Sequence, residues 1–228
     1  MSGHDIIVIG ASAGGVEALS NLARNLPVDL PASVFIVLHV PAQTPSILPQ
    51  ILSRAGPLRA AHAVDNEPIR PGRIYVAPPD NHMLVERDYV RIVRGPKENR
   101  YRPAVDPMFR SAARNHGTRV VGVILTGALD DGTAGMRAVK SRGGKTVIQD
   151  PKEALYSGMP GSAQMNVKID YCLPLAEIAP LLARLAHEPA EEEGACLVPD
   201  DLETEAKIAE QDLNTVELIR SVEKLGVV

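Results

Sequence analysis

The side chains most able to do chemistry in this sequence are Ser12, His39 and the adjacent acids Asp130 and Asp131, each placed just after an apolar run. A serine hydroxyl becomes a strong nucleophile when a base removes its proton. A histidine can be that base, and a carboxylate beside it fixes its tautomer and stabilises the imidazolium. These residue types together favour attack on an ester or amide carbonyl, and the residues alone leave both acids as candidates.

Each of these residues also has a simpler interpretation. Serine is a good helix N-cap, and Ser12 considered alone favours that role. His39 alone fits a loop or a buried histidine, and an Asp-Asp-Gly turn at 130–132 is a common way to begin a helix. We favour the catalytic interpretation because all three positions are predicted on one rim of the same sheet.

The glycine-rich turn Gly10-Ala-Ser-Ala-Gly-Gly15 also invites comparison with dinucleotide-binding loops. That fingerprint requires glycine where this chain has Ser12, because the backbone there approaches a pyrophosphate. The second predicted strand ends in His39 instead of the acid that would hold a ribose. Nucleotide binding is therefore the weaker hypothesis, and the N-terminus of the following helix would instead offer unpaired N–H groups to an oxyanion.

The elements around these residues alternate between apolar runs and helical periodicity. Strands are predicted over 6–9, 33–40, 73–78, 119–127, 145–150 and near 167–172, with two more joined by a tight turn in 83–95; helices are predicted from 16 to 26 and over 106–116, 132–144 and 175–186. This order predicts an α/β fold: a doubly wound, mostly parallel sheet with helices on both faces in a Rossmann-like three-layer arrangement. In such folds the site lies beyond the carboxyl ends of the strands, here 10–15, 39–41 and 126–132.

Composition excludes several classes of partner. Aromatic residues make up 3% of the chain and Trp is absent, which argues against a stacking surface for nucleic acid. The N-terminus has no signal-peptide pattern, and the apolar runs are too short to insert into a membrane. Cys172 and Cys196 are expected to be reduced thiols of a cytoplasmic protein, with Cys172 in the core.

No metal or organic cofactor is expected. His62, His82 and His116 lack the spacing to cysteines or acids that zinc ligands have.

The charge of the chain divides it near residue 187. Residues 1–187 carry a net charge of +5 and residues 188–228 a net charge of −9. We predict a catalytic domain over 1–187, an acidic linker over 188–200 and an amphipathic C-terminal helical tail over 201–228. The apolar stripe of that helix fits docking either on its own domain or on a regulatory partner, and it consists of Leu202, Ala206, Ala209, Leu213, Val216 and Ile219.

A series of motifs resembles the catalytic domain of the chemotaxis protein-glutamate methylesterases, the CheB family. The motifs are IGASAGG (9–15), LHVP (38–41), GRIYVAPPDNHM (72–83), RPAVDPMFRSAA (102–113), GVILTGALDDGTAGM (122–136) and GMP (158–160). The resemblance implies Ser12 as nucleophile, His39 as base and Asp131, the acid directly before Gly132, as the third member. It also implies oxyanion donors at the backbone N–H groups of Ala13 and Ala128.

The resemblance further implies hydrolysis of γ-glutamyl methyl esters on chemoreceptor helices, or on another methyl-esterified protein, with glutamine deamidation as a side activity. The sequence departs from the family where Ala13 replaces the usual Thr, Ala128 replaces a frequent Met, and LHVP replaces HMP. It begins directly at the catalytic strand, so we expect no N-terminal receiver domain. A related esterase with another substrate and a non-catalytic regulatory binding module are the alternatives.

Overall fold

The computed structural model describes residues 3–40, 43, 45–190 and 209. The strands are β1 (Ile6–Ala11), β2 (Ser33–Leu38), β3 (Arg59–His62), β4 (Glu67–Pro68), β5 (Arg73–Val76), β6 (His82–Val85), β7 (Tyr89–Val93), β8 (Val120–Ile124), β9 (Lys145–Gln149) and β10 (Tyr171–Leu173). The helices are α1 (Gly15–Asn25), α2 (Leu48–Ala55), α3 (Val105–His116), α4 (Thr133–Ser141), α5 (Gly158–Asn166) and α6 (Leu175–His187), with a 3-10 turn at Gly117–Arg119.

Seven strands form one parallel sheet in the order β10-β9-β8-β1-β2-β5-β3. Successive residues of β1 enter opposite cores: Ile7 and Ile9 pack with α1, α2 and α6, whereas Ile6 and Val8 pack on the side of α3, α4 and α5. Because both faces are covered, the central strands are apolar without interruption. The predicted doubly wound α/β architecture is confirmed.

The strand order places a topological switch at β1. The chain passes from β1 to β2 on one side and later returns to place β8 on the other side. Ligand sites of open α/β sheets lie beyond the carboxyl ends of the strands at such a switch. The segments after β1, β2 and β8 therefore meet at one edge.

The region 83–95 contains the two predicted strands, but they belong to a separate antiparallel sheet of order β4-β7-β6. Met83, Val85 and Val90 of this small sheet pack in the α3-side core.

The sequence analysis did not predict four elements of the structure, which are α2, β3, β4 and α5. The helix α5 contains Gly158, Pro160 and Gly161, which have poor helix propensity, so its sequence resembles a loop.

The prediction that Cys172 lies in the core is wrong. Its strand, β10, is the edge strand of the large sheet, and the side chain is exposed. Alternate residues of an edge strand face away from the packed layer, and a three-residue apolar run does not reveal which ones. Cys196 lies outside the described residues.

The predicted linker and tail lie outside the described residues except for 188–190 and Ala209. Ala209 is helical and is buried together with Leu84 and Val93 of the small sheet. The division at 187, the tail helix and a regulatory partner for it stay predictions. Within the described part of the chain, no helix is both long and apolar enough to cross a bilayer.

Two glycines test how tightly the helices pack. A Cβ on Gly56, which follows α2, would overlap the backbone carbonyl of Ala23 in α1, whereas a Cβ on Gly161 would meet nothing within 4 Å. We expect Gly56→Ala to lower the free energy of unfolding by about 1–3 kcal/mol. The matched Gly161→Ala should raise it by about 0.5–1 kcal/mol, since alanine favours a helix. Urea unfolding measures both, and equal effects would contradict this packing.

Candidate active site

Ser12 sits in the turn between β1 and α1. Its backbone N–H donates to the carbonyl of Thr126 (3.0 Å), and its carbonyl accepts from the N–H of Gly15 (2.8 Å). Gly14 occupies a left-handed conformation with φ 74°, which glycine adopts without steric cost. On the other side Gly127 leaves room for the serine, since a Cβ there would lie 3.0 Å from the Ser12 Cβ.

Thr126 joins this turn to the segments after β8 and β9. Its hydroxyl donates to the carbonyl of Ala13 (3.0 Å) and accepts from the N–H of Tyr156 (2.9 Å). Its own N–H donates to Oε1 of Gln149 (3.0 Å). Thr126 is buried, so these bonds are shielded from water. The nucleophile turn is therefore fixed to the neighbouring strand ends.

His39 follows β2 and lies between Ser12 and Asp131. Its Nδ1 is 3.1 Å from Ser12 Oγ, and its Nε2 is 2.6 Å from Asp131 Oδ2. The backbone N–H of His39 donates to Ala11, which extends the parallel pairing one residue beyond β2. The two ring nitrogens thus exchange the roles that they have in trypsin-like triads, where Nε2 faces the serine.

Tyr101 covers one face of His39. The two rings are stacked with centroids 3.7 Å apart and an interplanar angle of 8°. The loop that carries Tyr101 is held by two backbone hydrogen bonds with Glu98 and by the buried Arg102, which donates to Asp80 and to the Gly95 carbonyl. Such a platform fixes the plane of the imidazole.

Asp131 lies in the segment after β8, and its buried carboxylate contacts the N-terminus of α3. It accepts hydrogen bonds from the N–H groups of Val105 (2.7 Å) and Asp106 (3.2 Å), from the amide of Asn99 (2.8 Å) and from His39. Burial alone would raise the pKa of Asp131, but the hydrogen bonds from His39, Val105 and Asn99 and the interaction with the imidazole hold it below its ordinary value. The carboxylate is therefore ionised and holds the His39 proton on Nε2.

Asp106 is a second buried carboxyl group beside Asp131. It accepts from the N–H of Gly135 (2.6 Å) and from Asn99, whose amide thus bridges the two acids. Burial, followed by the negative charge of Asp131, raises the pKa of Asp106 to about 7, against the hydrogen bonds from Gly135 and Asn99 and the charge of Arg110. The environments of these two acids therefore push their pKa values apart.

The backbone N–H groups of Ala13 and Ala128 are the predicted oxyanion donors. Ala13 follows Ser12, and Ala128 follows Gly127, which lies against Ser12. In the described residues neither N–H donates to a protein acceptor. Both amides are therefore available to a negatively charged oxygen formed beside Ser12.

The structure brings Ser12, His39 and Asp131 into one hydrogen-bonded chain, whereas Asp130 is exposed and its carbonyl accepts from Thr133 at the start of α4. Sequence reasoning gave no role to four residues around this chain, which are Asn99, Tyr101, Asp106 and Thr126. They follow no periodic pattern, and only two of them lie in quoted motifs: Asp106 in the motif at 102–113 and Thr126 in the motif at 122–136.

Each of the three histidines considered as zinc ligands contacts a backbone carbonyl: His62 that of Ser46, His82 that of Pro96 and His116 that of Glu86. Among the residues with described positions, no three His, Cys, Asp or Glu side chains come together as a metal site would require.

The pKa of Asp106 predicts a specific pH dependence of stability. An unfolded aspartate has a pKa of about 3.9, so between that pH and about 7 the folded protein holds a proton that the unfolded chain has lost. The free energy of unfolding should therefore fall as pH rises through this window, by about 1.4 kcal/mol per pH unit. Asp106→Asn lacks this proton, so its stability relative to the parent should improve from pH 5 to pH 7.

Urea titrations of both proteins at pH 5, 6, 7 and 8 measure this difference, with Asp29→Asn on the exposed surface as control. A stability difference between Asp106→Asn and the parent that stays constant with pH would show that Asp106 is ionised throughout.

Comparisons with known proteins agree with this architecture. The family model of the CheB methylesterases matches residues 7–182. A protein-glutamate methylesterase/protein-glutamine glutaminase of Hydrogenovibrio crunogenus is 40% identical over 179 residues, which are 77% of this chain and 47% of that protein. A putative enzyme of the same name from Leptospira interrogans is 37% identical over 183 residues, which are 80% of this chain and 95% of that one.

The crystal structure of the Thermotoga maritima CheB methylesterase catalytic domain superposes with a TM-score of 0.78 at 34% identity, covering 81% of this chain and all of that one. The chain spans about half the length of two curated relatives that it matches, including the Hydrogenovibrio crunogenus protein. A match of this extent, together with the shared fold, places the chain in the CheB methylesterase family.

Proposed function

We propose that this chain is a serine esterase that hydrolyses γ-glutamyl methyl esters on the cytoplasmic helices of chemoreceptor-type proteins, with Ser12 as nucleophile, His39 as base and Asp131 as the carboxylate that orients it. The single observation that carries this proposal is the continuous contact from Ser12 Oγ through His39 to the buried Asp131. The names of the relatives in the same family support the choice of substrate.

The first half of the reaction forms an acyl-enzyme. His39 Nδ1 takes the hydroxyl proton of Ser12 as Oγ attacks the ester carbonyl carbon, and the ionised Asp131 stabilises the imidazolium. The carbonyl oxygen becomes an oxyanion that the N–H groups of Ala13 and Ala128 bind. When the intermediate collapses, the bond to the methoxy oxygen breaks and that oxygen takes the proton from His39, so methanol leaves.

The second half releases the product by the same steps in reverse order. A water molecule gives a proton to His39 Nδ1 and attacks the acyl carbon, and the oxyanion again receives the two backbone N–H groups. The bond to Ser12 Oγ then breaks, Oγ takes the proton from His39, and the γ-carboxylic acid of glutamate leaves and ionises by giving its remaining proton to solvent. The residues need no metal or organic cofactor for this sequence.

Replacement of the nucleophile tests the proposal. Ser12→Ala should reduce methanol release from a methylated receptor by roughly 10⁴-fold or more, because no other group can form the acyl-enzyme. It should also abolish labelling by a fluorophosphonate probe, which requires an activated serine. Ser20→Ala, on the exposed side of α1, is the matched control. Labelling or turnover retained by Ser12→Ala would remove Ser12 from the mechanism.

Deamidation of glutamine is a second candidate activity, which the full names of the relatives favour. The acyl-enzyme is the same, and ammonia replaces methanol as the leaving group after protonation by His39. We expect ammonia release from a glutamine-bearing receptor segment to be slower than methanol release, since an amine is the poorer leaving group. Both should disappear together in Ser12→Ala, and ammonia release that survives the substitution would assign deamidation to another site.

Fluorophosphonate labelling and methanol release distinguish two alternatives from the proposed function. An esterase for another protein would label with the fluorophosphonate and turn over no methylated receptor, whereas a non-catalytic binding module would not label at all. The buried, ionised Asp131 with its four donors favours an enzyme over a module, because a binding surface gains nothing from that desolvated charge.

A further inference from the structure

Leu129 combines a strained backbone with an exposed apolar side chain next to the proposed oxyanion donor Ala128. Its φ is 65°, in the left-handed region that a side chain with a Cβ adopts only at a steric cost. Its side chain is 57% exposed, so it contributes little to the core. Strained residues of this kind cluster where they present a side chain for function.

The surrounding segments hold Leu129 in this conformation. The N–H of Gly127 donates to the Tyr156 carbonyl (2.9 Å), and the N–H of Met159 donates to the Gly127 carbonyl (2.8 Å). The Leu129 nitrogen packs so close to Gly158 that a Cβ there would lie 2.8 Å away. A glycine at 129 would satisfy this backbone without strain, so the leucine side chain is the feature that needs explanation.

Two more exposed apolar side chains stand next to the nucleophile turn. Leu155 is 68% exposed and packs against Gly14, where its Cδ2 would lie 3.1 Å from an added Cβ; Tyr156 is 48% exposed. Together with Leu129 they form an apolar ledge, defined by Leu129, Leu155 and Tyr156. It follows β8 and β9, on one side of Ser12 in the sheet order. Exposed apolar side chains on the segments around a candidate active site are typical of a surface that binds another molecule.

The other side of Ser12, toward β2, carries positive charge. A pocket of about 490 Å³ beside Ser12 and His39 is lined by Lys97 and Arg100, among others. Both side chains are exposed, and in the described part of the chain neither forms a salt bridge. The acid nearest in sequence, Glu98, is already bound to Arg110. We call Lys97 and Arg100 the cationic edge.

We propose that the apolar ledge and the cationic edge select the substrate protein, and that the ester-bearing segment is amphipathic, with apolar residues on one side of the esterified glutamate and carboxylates on the other. This inference rests on the proposed function, and it adds the chemistry of the sequence around the ester. The exposed cations of the cationic edge are complementary to acidic neighbours, and the ledge is complementary to an apolar face.

Two synthetic helical peptides test the cationic edge. Each carries one γ-glutamyl methyl ester with leucines on one face; the first has glutamates on the opposite face and the second has glutamines there. At low salt the parent protein should release methanol from the acidic peptide with a kcat/KM roughly 10-fold above that for the glutamine peptide, and this preference should shrink as salt screens the charges. Lys97→Gln/Arg100→Gln should abolish the preference, and Arg54→Gln on α2 should keep it.

Two variants of Leu129 distinguish the effect of its apolar side chain from the effect of its backbone strain. Leu129→Gly removes the strain, and Leu129→Asn keeps a side chain that tolerates a left-handed φ while losing the apolar contact. Both should raise KM for both peptides about 5-fold or more, with a smaller change in kcat, because the lost contact exists in the ground state as well. Asn66→Gly, at a left-handed position whose N–H donates to the carbonyl of Val90 in the small sheet, is the control for backbone relief alone and should leave KM unchanged.

Fluorophosphonate labelling separates this inference from the proposed function. If the parent protein neither labels nor releases methanol, the esterase proposal fails. If the protein instead labels but hydrolyses the two peptides equally well, or hydrolyses neither, or if both Leu129 variants keep the parent KM, the esterase proposal stands. Each of these results overturns the proposal that the apolar ledge and the cationic edge select the substrate.

Discussion

The buried carboxylate of Asp131 is the group on which the rest of the site depends. A desolvated negative charge is costly unless several donors surround it, and here two N–H groups of α3, the Asn99 amide and His39 supply them. These donors come from the loop before α3, from α3 itself and from the segment after β2. Satisfying one charge therefore fixes the position of three segments and the tautomer of the histidine.

The parallel sheet explains how these segments come together. Ser12 and His39 are 27 residues apart and His39 and Asp131 are 92 apart, yet β1, β2 and β8 are neighbours whose carboxyl ends face the same way. The apolar interior that makes this order stable also removes water from Asp131 and Asp106. Burial, together with the repulsion between two adjacent negative charges, pushes the pKa values of the two acids apart, with that of Asp106 raised and that of Asp131 lowered by its donors.

The proposed chemistry and the proposed recognition use different parts of this edge. The proposed oxyanion donors are backbone N–H groups, so alanine at 13 and at 128 leaves them in place whatever side chain the family prefers. The surroundings of the reacting groups are rigid: Thr126 and Gln149 hold the turn, and Tyr101 holds the imidazole. The side chains of the apolar ledge and the cationic edge are exposed, so a substitution there leaves the buried contacts in place.

Local patterns in the sequence determined most of the framework: apolar runs marked the central strands, the glycine-rich turn marked the presentation of Ser12, and the strand end marked His39. They could not choose between Asp130 and Asp131, which are adjacent and chemically identical; the motif resemblance pointed to Asp131. Only the tertiary structure turned Asp130 to solvent and buried Asp131 against α3. It alone enclosed the site with Asn99, Tyr101 and Asp106, because periodicity reports which face of an element is buried, whereas contacts between distant segments follow from strand order and packing.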